Sequence, residues 1–280
     1  MSKRLFIKVD RSYFPQIKDR YPLLYLERGR LEVDDSSVKW IDCECNVVML
    51  PIATISTLFL GPGTSVTHEA LKTLASCNCN VMLVAENCFA TYCQAISVTS
   101  DTRNMLSQIG LYSSPDKALN VARRLFAFRF PELDLSDKSL QEMMGIEGAR
   151  VRNLYRQKAF EYGVSWQGRN YIPGKNEQSD PVNRRLTLFN SFLYGLCTSS
   201  IISLGYSPYI GFIHNGCPLP FTYDMADLYK SELSIDLAFR LASQTDLSHA
   251  QLASVFTERC CELNILNRLQ KDIQSVLEAE

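Results

Sequence analysis

Near residue 100 the spacing of apolar side chains changes from a period of two to one close to 3.6, so strands must give way to helices. Ahead of that point the runs 23–26, 31–33, 38–41 and 47–50 are short and often alternating. They are punctuated by Gly29, Asp34, Asp35 and Asn46, and the pattern predicts strands. Residues 55–60 predict another, closed by Gly61-Pro62-Gly63. A brief helix over 66–75 and strands over 81–84 and 89–96 complete the region. Beyond it, Ser114-Pro115 predicts a helix start with proline in the first turn, and Ser139-x-x-Glu142 is a capping box. A stripe through Val151, Leu154, Tyr155 and Ala159 ends near Gly163, and residues 166–180 read as a loop or flap. Three further helices are expected over 186–204, 223–241 and 250–277. The expected fold class is α+β: an N-terminal mostly β domain over 1–97, then a larger all-helical C-terminal domain over 98–280.

Composition enters as a filter. Apolar residues make up 46% and charged residues 21%, which excludes disordered and fibrous classes. The N-terminus has no apolar stretch suited to a signal peptide, and the apolar runs fall short of the ~20 residues a membrane span needs. A cytoplasmic protein without membrane contact is expected. The net charge of −1 hides a gradient: 148–190 carries eight basic residues against three acidic, and 224–280 five against ten. Such asymmetry suits a polyanion binder, and proteins that bind nothing charged show it too. The ten cysteines lack the paired C-x2-C spacing of structural zinc sites, so reduced, mostly buried thiols are expected.

Four side chains stand in contexts that a helical core does not require. Glu147 lies between Gly145 and Gly148 at a predicted helix start, where the helix dipole would favour its charge. His214 follows a strand-like run in Gly211-Phe212-Ile213-His214-Asn215-Gly216. Asp224 and Asp227, spaced i, i+3 among apolar neighbours, occupy neighbouring positions of one helix face. Together they form an oxygen-rich set with one imidazole, suited to Mg2+ or Mn2+. A first-turn glutamate, a structural histidine and a solvated acidic stripe are the readings that need no ligand. No G-x-S-x-G, Walker A or G-x-G-x-x-G motif is present.

Longer motifs carry a resemblance. Gly145-Ile-Glu-Gly-Ala-Arg-Val-Arg152, Tyr162-Gly-Val-Ser-Trp-Gln-Gly-Arg-Asn-Tyr171, Gly205-Tyr-Ser-Pro-Tyr-Ile-Gly-Phe-Ile-His214 and Pro218-Leu-Pro-Phe-Thr-Tyr-Asp-Met-Ala-Asp227 are joined by Gly61-Pro-Gly-Thr-Ser-Val-Thr-His68 and by residues 125–130. From about residue 23 to its end the chain resembles the CRISPR-associated endonuclease/integrase, the larger of the two core spacer-acquisition proteins, and most closely its type I-E branch. The resemblance implies a homodimer, two of which assemble around a dimer of a small partner adaptation protein in a heterohexamer-like complex. It implies double-stranded and branched DNA as ligand. A 3′-hydroxyl of a captured fragment would attack a phosphodiester of the CRISPR repeat, and water in its place would make the site a nuclease. It implies Glu147, His214 and Asp227 as ligands of Mg2+ or Mn2+, with Asp224 sharing the ion or holding a ligand in place.

DNA contacts are expected from Arg150, Arg152, Arg169 and Lys230, with Tyr171 or Tyr194 stacking on an unpaired base. Departures from the family pattern fall on DNA handling. Arg28 stands where the branch often has an aromatic residue, and Ser65 and Ala90 where a relative could offer basic side chains. Cys217 replaces a basic residue near His214. Two other readings stay open: a stand-alone metal-dependent nuclease on branched DNA, and a non-catalytic DNA-binding scaffold with structural carboxylates.

Overall fold

The computed structural model describes residues 14–35, 37–86, 91–97, 101–170 and 179–278. Strands occupy β1 (Tyr21–Leu26), β2 (Gly29–Asp34), β3 (Ser37–Asp42), β4 (Val47–Leu50), β5 (Ile55–Leu60), β6 (Thr64–Val66), β7 (Asn80–Val84) and β8 (Thr91–Ala95), with helix α1 (His68–Ser76) among them. From residue 103 the described elements are helical: α2 (Arg103–Tyr112), α3 (Pro115–Arg129), α4 (Leu140–Glu161), α5 (Pro181–Ser203), α6 (Pro220–Ala226), a π-helical turn (Ser231–Ile235), α7 (Asp236–Arg240), α8 (His249–Glu262) and α9 (Ile265–Leu277). The strand-rich half and the helical half thus follow the order read from the sequence. The three-residue β6 was missed, because Gly61-Pro62-Gly63 masks so short a strand.

The strands form two sheets, ordered β1-β5-β7-β8 and β4-β3-β2-β6. In the first, β1, β5 and β7 run parallel and β8 pairs antiparallel to β7. Its central strand β5 is buried at every residue, as expected of a parallel strand covered on both faces. Alternation then divides the core. Leu23, Tyr25, Phe59, Met82 and Val84 join the helices, while Leu58, Leu60 and Val81 turn to the second sheet and α1, where Leu31, Val38 and Trp40 lie. One sheet therefore walls two cores.

Helix α5 lies against that wall. A Cβ on Gly195 would sit 2.2 Å from the Phe59 ring, so only glycine admits this approach. Phe59 meets Phe192 edge-on at 5.2 Å, and Phe192 continues to Phe256 of α8 at 5.5 Å. α5 is long and apolar enough to cross a bilayer, unlike the runs weighed in the sequence, yet 78% of its apolar window is buried in the fold.

Three other expectations change. Glu147 is not at a helix start: the capping box of Ser139 and Glu142 starts α4 at Leu140, which puts Glu147 two turns inside and removes the dipole argument. The helix expected over 223–241 ends at Ala226, turns through 227–230 and resumes as a π turn, a feature often found at functional sites. The helix expected over 250–277 breaks at Asn264, whose φ is 50°. Among the described cysteines, Cys77, Cys79, Cys197 and Cys260 are buried, but Cys43, Cys45, Cys93 and Cys261 are exposed and Cys217 is half-buried, so burial is less general than expected. All nine are free thiols.

Candidate active site

Asp224 is the best-satisfied buried charge in the helical half. It sits inside α6, and its carboxylate accepts the backbone N–H groups of Phe212 (2.6 Å), Ile213 (3.2 Å) and His214 (2.9 Å). The segment before His214 is not the strand its apolar run suggested. It is an irregular loop whose amides curl around this carboxylate, an anion nest in which the loop's N–H groups find their acceptor. Asp224 also accepts from His214 Nδ1 at 2.8 Å. A carboxylate partner calls for the proton on Nδ1, and Nε2 faces Asp227 Oδ2 at 3.8 Å. The Asp224 hydrogen bond raises the His214 pKa against the opposing effect of burial. Of the two roles open to Asp224, holding the imidazole is the one its contacts favour.

Asp227 caps the end of α6 with its side chain 10% exposed. Burial opposes its charge, but Lys230 Nζ at 2.6 Å from Oδ1, with Arg129 and His214, outweighs that and lowers its pKa. Glu147, projecting from α4, is held by Arg129 Nη1, and the same nitrogen lies 3.6 Å from Asp227 Oδ2. Arg129 is the residue that the sequence reading passed over. It is the last residue of α3, where a basic side chain is ordinarily assigned to the helix dipole. Its signal was an arginine enclosed by Phe128 and Phe130 in an otherwise apolar run. Among the described residues, no three His, Cys, Asp or Glu side chains stand gathered as they would around an ion. The guanidinium lies between two of the expected ligands instead.

Two cavities meet at this cluster. One, of about 560 Å3, is lined by Arg129, Glu147, Arg150, Asp227, Lys230, Glu232 and Arg268 among others. The other, of about 510 Å3, lies beyond Lys230 and is lined by His214, Arg169, Tyr194 and Tyr223 with Gln94 and Thr91. Arg150 lies over the Phe130 ring at 4.7 Å and pairs with Glu132 at the rim. Arg152 faces solvent on α4, away from the residues that line either cavity. Arg169 is tied to α5 through Asn183 Oδ1 (2.7 Å) and Thr187 Oγ1 (3.0 Å). Tyr194 stacks edge-on with Tyr223 at 4.8 Å and carries Lys230 over its ring at 5.1 Å. Tyr171 and Ala90 lie outside the described residues.

Two carboxylates with guanidinium groups line one cleft and an oriented imidazole lines the next, on a helical body backed by a sheet. Residues 129–259 match the family described as CRISPR associated protein Cas1. The chain is 51% identical to the CRISPR-associated endonuclease Cas1 2 of Chlorobaculum tepidum, over 98% of this chain and 93% of that one. The crystal structure of a TtCas1-DNA complex superposes with a TM-score of 0.83 at 35% identity, covering 92% of both chains. A casposase bound to integration product shares the fold alone, with a TM-score of 0.72 at 16% identity over 92% of this chain and 91% of that one. The chain belongs to the Cas1 family of CRISPR-associated endonucleases.

Proposed function

We propose that the chain is a metal-dependent DNA endonuclease and integrase that inserts captured DNA fragments into a CRISPR array, acting as in the type I-E branch. The observation that carries this is the pairing of Glu147 and Asp227 across one cleft, with His214 in the adjoining one, its Nδ1 tied to Asp224 and its Nε2 3.8 Å from Asp227 Oδ2. The donor set fits a hard divalent cation: two carboxylate oxygens, and one nitrogen whose tautomer is already fixed. Glu147, His214 and Asp227 would hold Mg2+ or Mn2+. Bound there, the ion supplies Lewis acidity, polarising the scissile phosphate and lowering the barrier to deprotonating the attacking 3′-hydroxyl.

The residues of the chain supply position and charge. Asp224 holds His214 at one tautomer. Lys230 holds Asp227 by the oxygen away from His214. Arg150 and Arg268 line the same cleft, where phosphate oxygens of a DNA backbone find donors. Arg152 lines neither cleft, Arg169 lines the one with His214, and Tyr194 there offers a face for an unpaired base. The part over 1–97 is assigned dimerisation and DNA contacts, and 98–280 catalysis. DNA as ligand is supported by the related TtCas1, which was crystallised with it. A homodimer, the small partner adaptation protein in a heterohexamer-like complex, and a cytoplasmic location complete the proposal.

The test is strand transfer. The protein, its partner, a short duplex with free 3′-OH ends and a supercoiled plasmid carrying the repeat are mixed with Mn2+ or with EDTA. Joined product that needs the metal and disappears in His214→Ala is the expected result. Cleavage without joining would replace the integrase by a stand-alone nuclease. DNA binding with neither reaction would leave a scaffold.

A further inference from the structure

Between Glu147 and Asp227 lies a single nitrogen. Arg129 Nη1 contacts Glu147 Oε1 and stands 3.6 Å from Asp227 Oδ2, with its side chain 10% exposed and the guanidinium carbon 5.3 Å from the centre of the Phe130 ring. Two mostly buried carboxylates in one cleft repel each other and are costly to leave unpaired. The guanidinium removes that cost. It does so through the oxygens that face each other across the site, the ones an ion shared by both side chains would use.

Lys230 differs in this respect. Its amine holds Asp227 by Oδ1, the other oxygen, so its contact and an ion on Oδ2 are compatible. Arg129 and an ion are not, because one guanidinium nitrogen and one cation cannot occupy the same gap.

We propose that Arg129 is a positioning residue that takes the place of the divalent cation, holding Glu147 and Asp227 together while the site is unloaded and competing with the ion for them. This rests on the reading of Glu147 and Asp227 as metal ligands. Its consequence is an occupancy threshold: the protein keeps its carboxylates paired at low divalent concentration and exchanges guanidinium for metal as that concentration rises. With Lys230 on the other oxygen of Asp227, Arg129 balances the charge of the pair while no ion is bound.

The test is Mn2+ binding by the full chain, read from the EPR signal of free Mn2+, together with melting temperature in EDTA. Arg129→Gln is expected to bind Mn2+ at least roughly tenfold more tightly than wild type, the order of one contact to a charged group. It should also melt lower in EDTA and recover on adding Mn2+. Arg129→Lys, whose shorter amine keeps the charge, should fall between the two. Circular dichroism checks that both variants fold, and the lysine variant carries the test if the glutamine variant does not.

Equal or weaker Mn2+ binding by the folded variants overturns the proposal. Glu147→Gln separates the two possible failures. If it abolishes Mn2+ binding while Arg129→Gln does not tighten it, the metal site stands and the competition falls. If it changes nothing in either background, the ion is held elsewhere, and both readings fall together.

Discussion

At Asp224 one carboxylate organises both the loop and the imidazole. The sequence placed Asp224 and Asp227 three residues apart and so on one helix face, but that spacing could not tell which would be buried. The chain puts Asp224 wholly inside, under the amides of residues 212–214, and Asp227 at the helix end facing the cleft. An irregular loop wrapped around an anion leaves no periodic signature, which is why the run before His214 read as a strand. Arg129 was hidden for a related reason, since its partners lie 18 and 98 positions away and no local pattern joins them. Replacing Asp224 by Asn keeps the shape but puts an amide NH2 where one oxygen accepts two N–H groups. The expected loss is about 2–4 kcal/mol in urea unfolding, the cost of leaving buried donors unpaired. The His214 ring should lose its single tautomer in nitrogen-detected NMR. Wild-type stability with an unchanged tautomer would show that the nest is not held by charge.

Among the elements, α4 and α7 are joined by a polar latch. Asp236, at the start of α7, accepts from Lys158 Nζ at 2.6 Å and Tyr162 Oη at 2.9 Å, both at the C-terminal end of α4. Arg240 also favours its charge, and Glu161 shares Lys158 with it. Burial works against the Asp236 charge, but the hydrogen bonds from Lys158 and Tyr162 outweigh it and lower its pKa. A depressed carboxylate contributes stability above its unfolded-state pKa, near ~3.9, and loses it as the pH falls through the lower folded value. Wild type should therefore melt above Asp236→Asn by a constant margin from pH 7 to about 5, and the margin should shrink below about pH 4. A margin independent of pH down to 3 would mean that the latch works through shape rather than charge. The capping box of Ser139 and Glu142 is a local device and marked the start of α4, although the glycines around Glu147 suggested a second start that the helix runs through.

For the whole molecule, the change of period near residue 100 gave the order of strands and helices but not how the two parts share their interior. Alternation along β5 sends Phe59 to the helices and Leu58 and Leu60 to the second sheet, so one strand belongs to both cores. Strand pairing order and the seating of Gly195 on Phe59 are long-range facts that no window of sequence contains. The shared wall has a consequence for unfolding. Losing the first sheet removes the surface on which Phe192 and Phe256 pack and, at once, the floor beneath Leu31, Val38 and Trp40. Neither part should then unfold alone, and the chain should behave as one cooperative unit despite its two architectures. The two tryptophans report on the two sides: Trp40 in the second sheet, and Trp166 against Tyr155 and Phe239 in the helical half. In urea, Trp40→Phe and Trp166→Phe each leave one reporter, and the two fluorescence midpoints are expected to coincide after correction for each substitution's own cost. A fragment of residues 98–280 should show no cooperative transition. Midpoints that separate, or a fragment that folds, would mean that the helical half closes its own core without Tyr25, Phe59 and Met82.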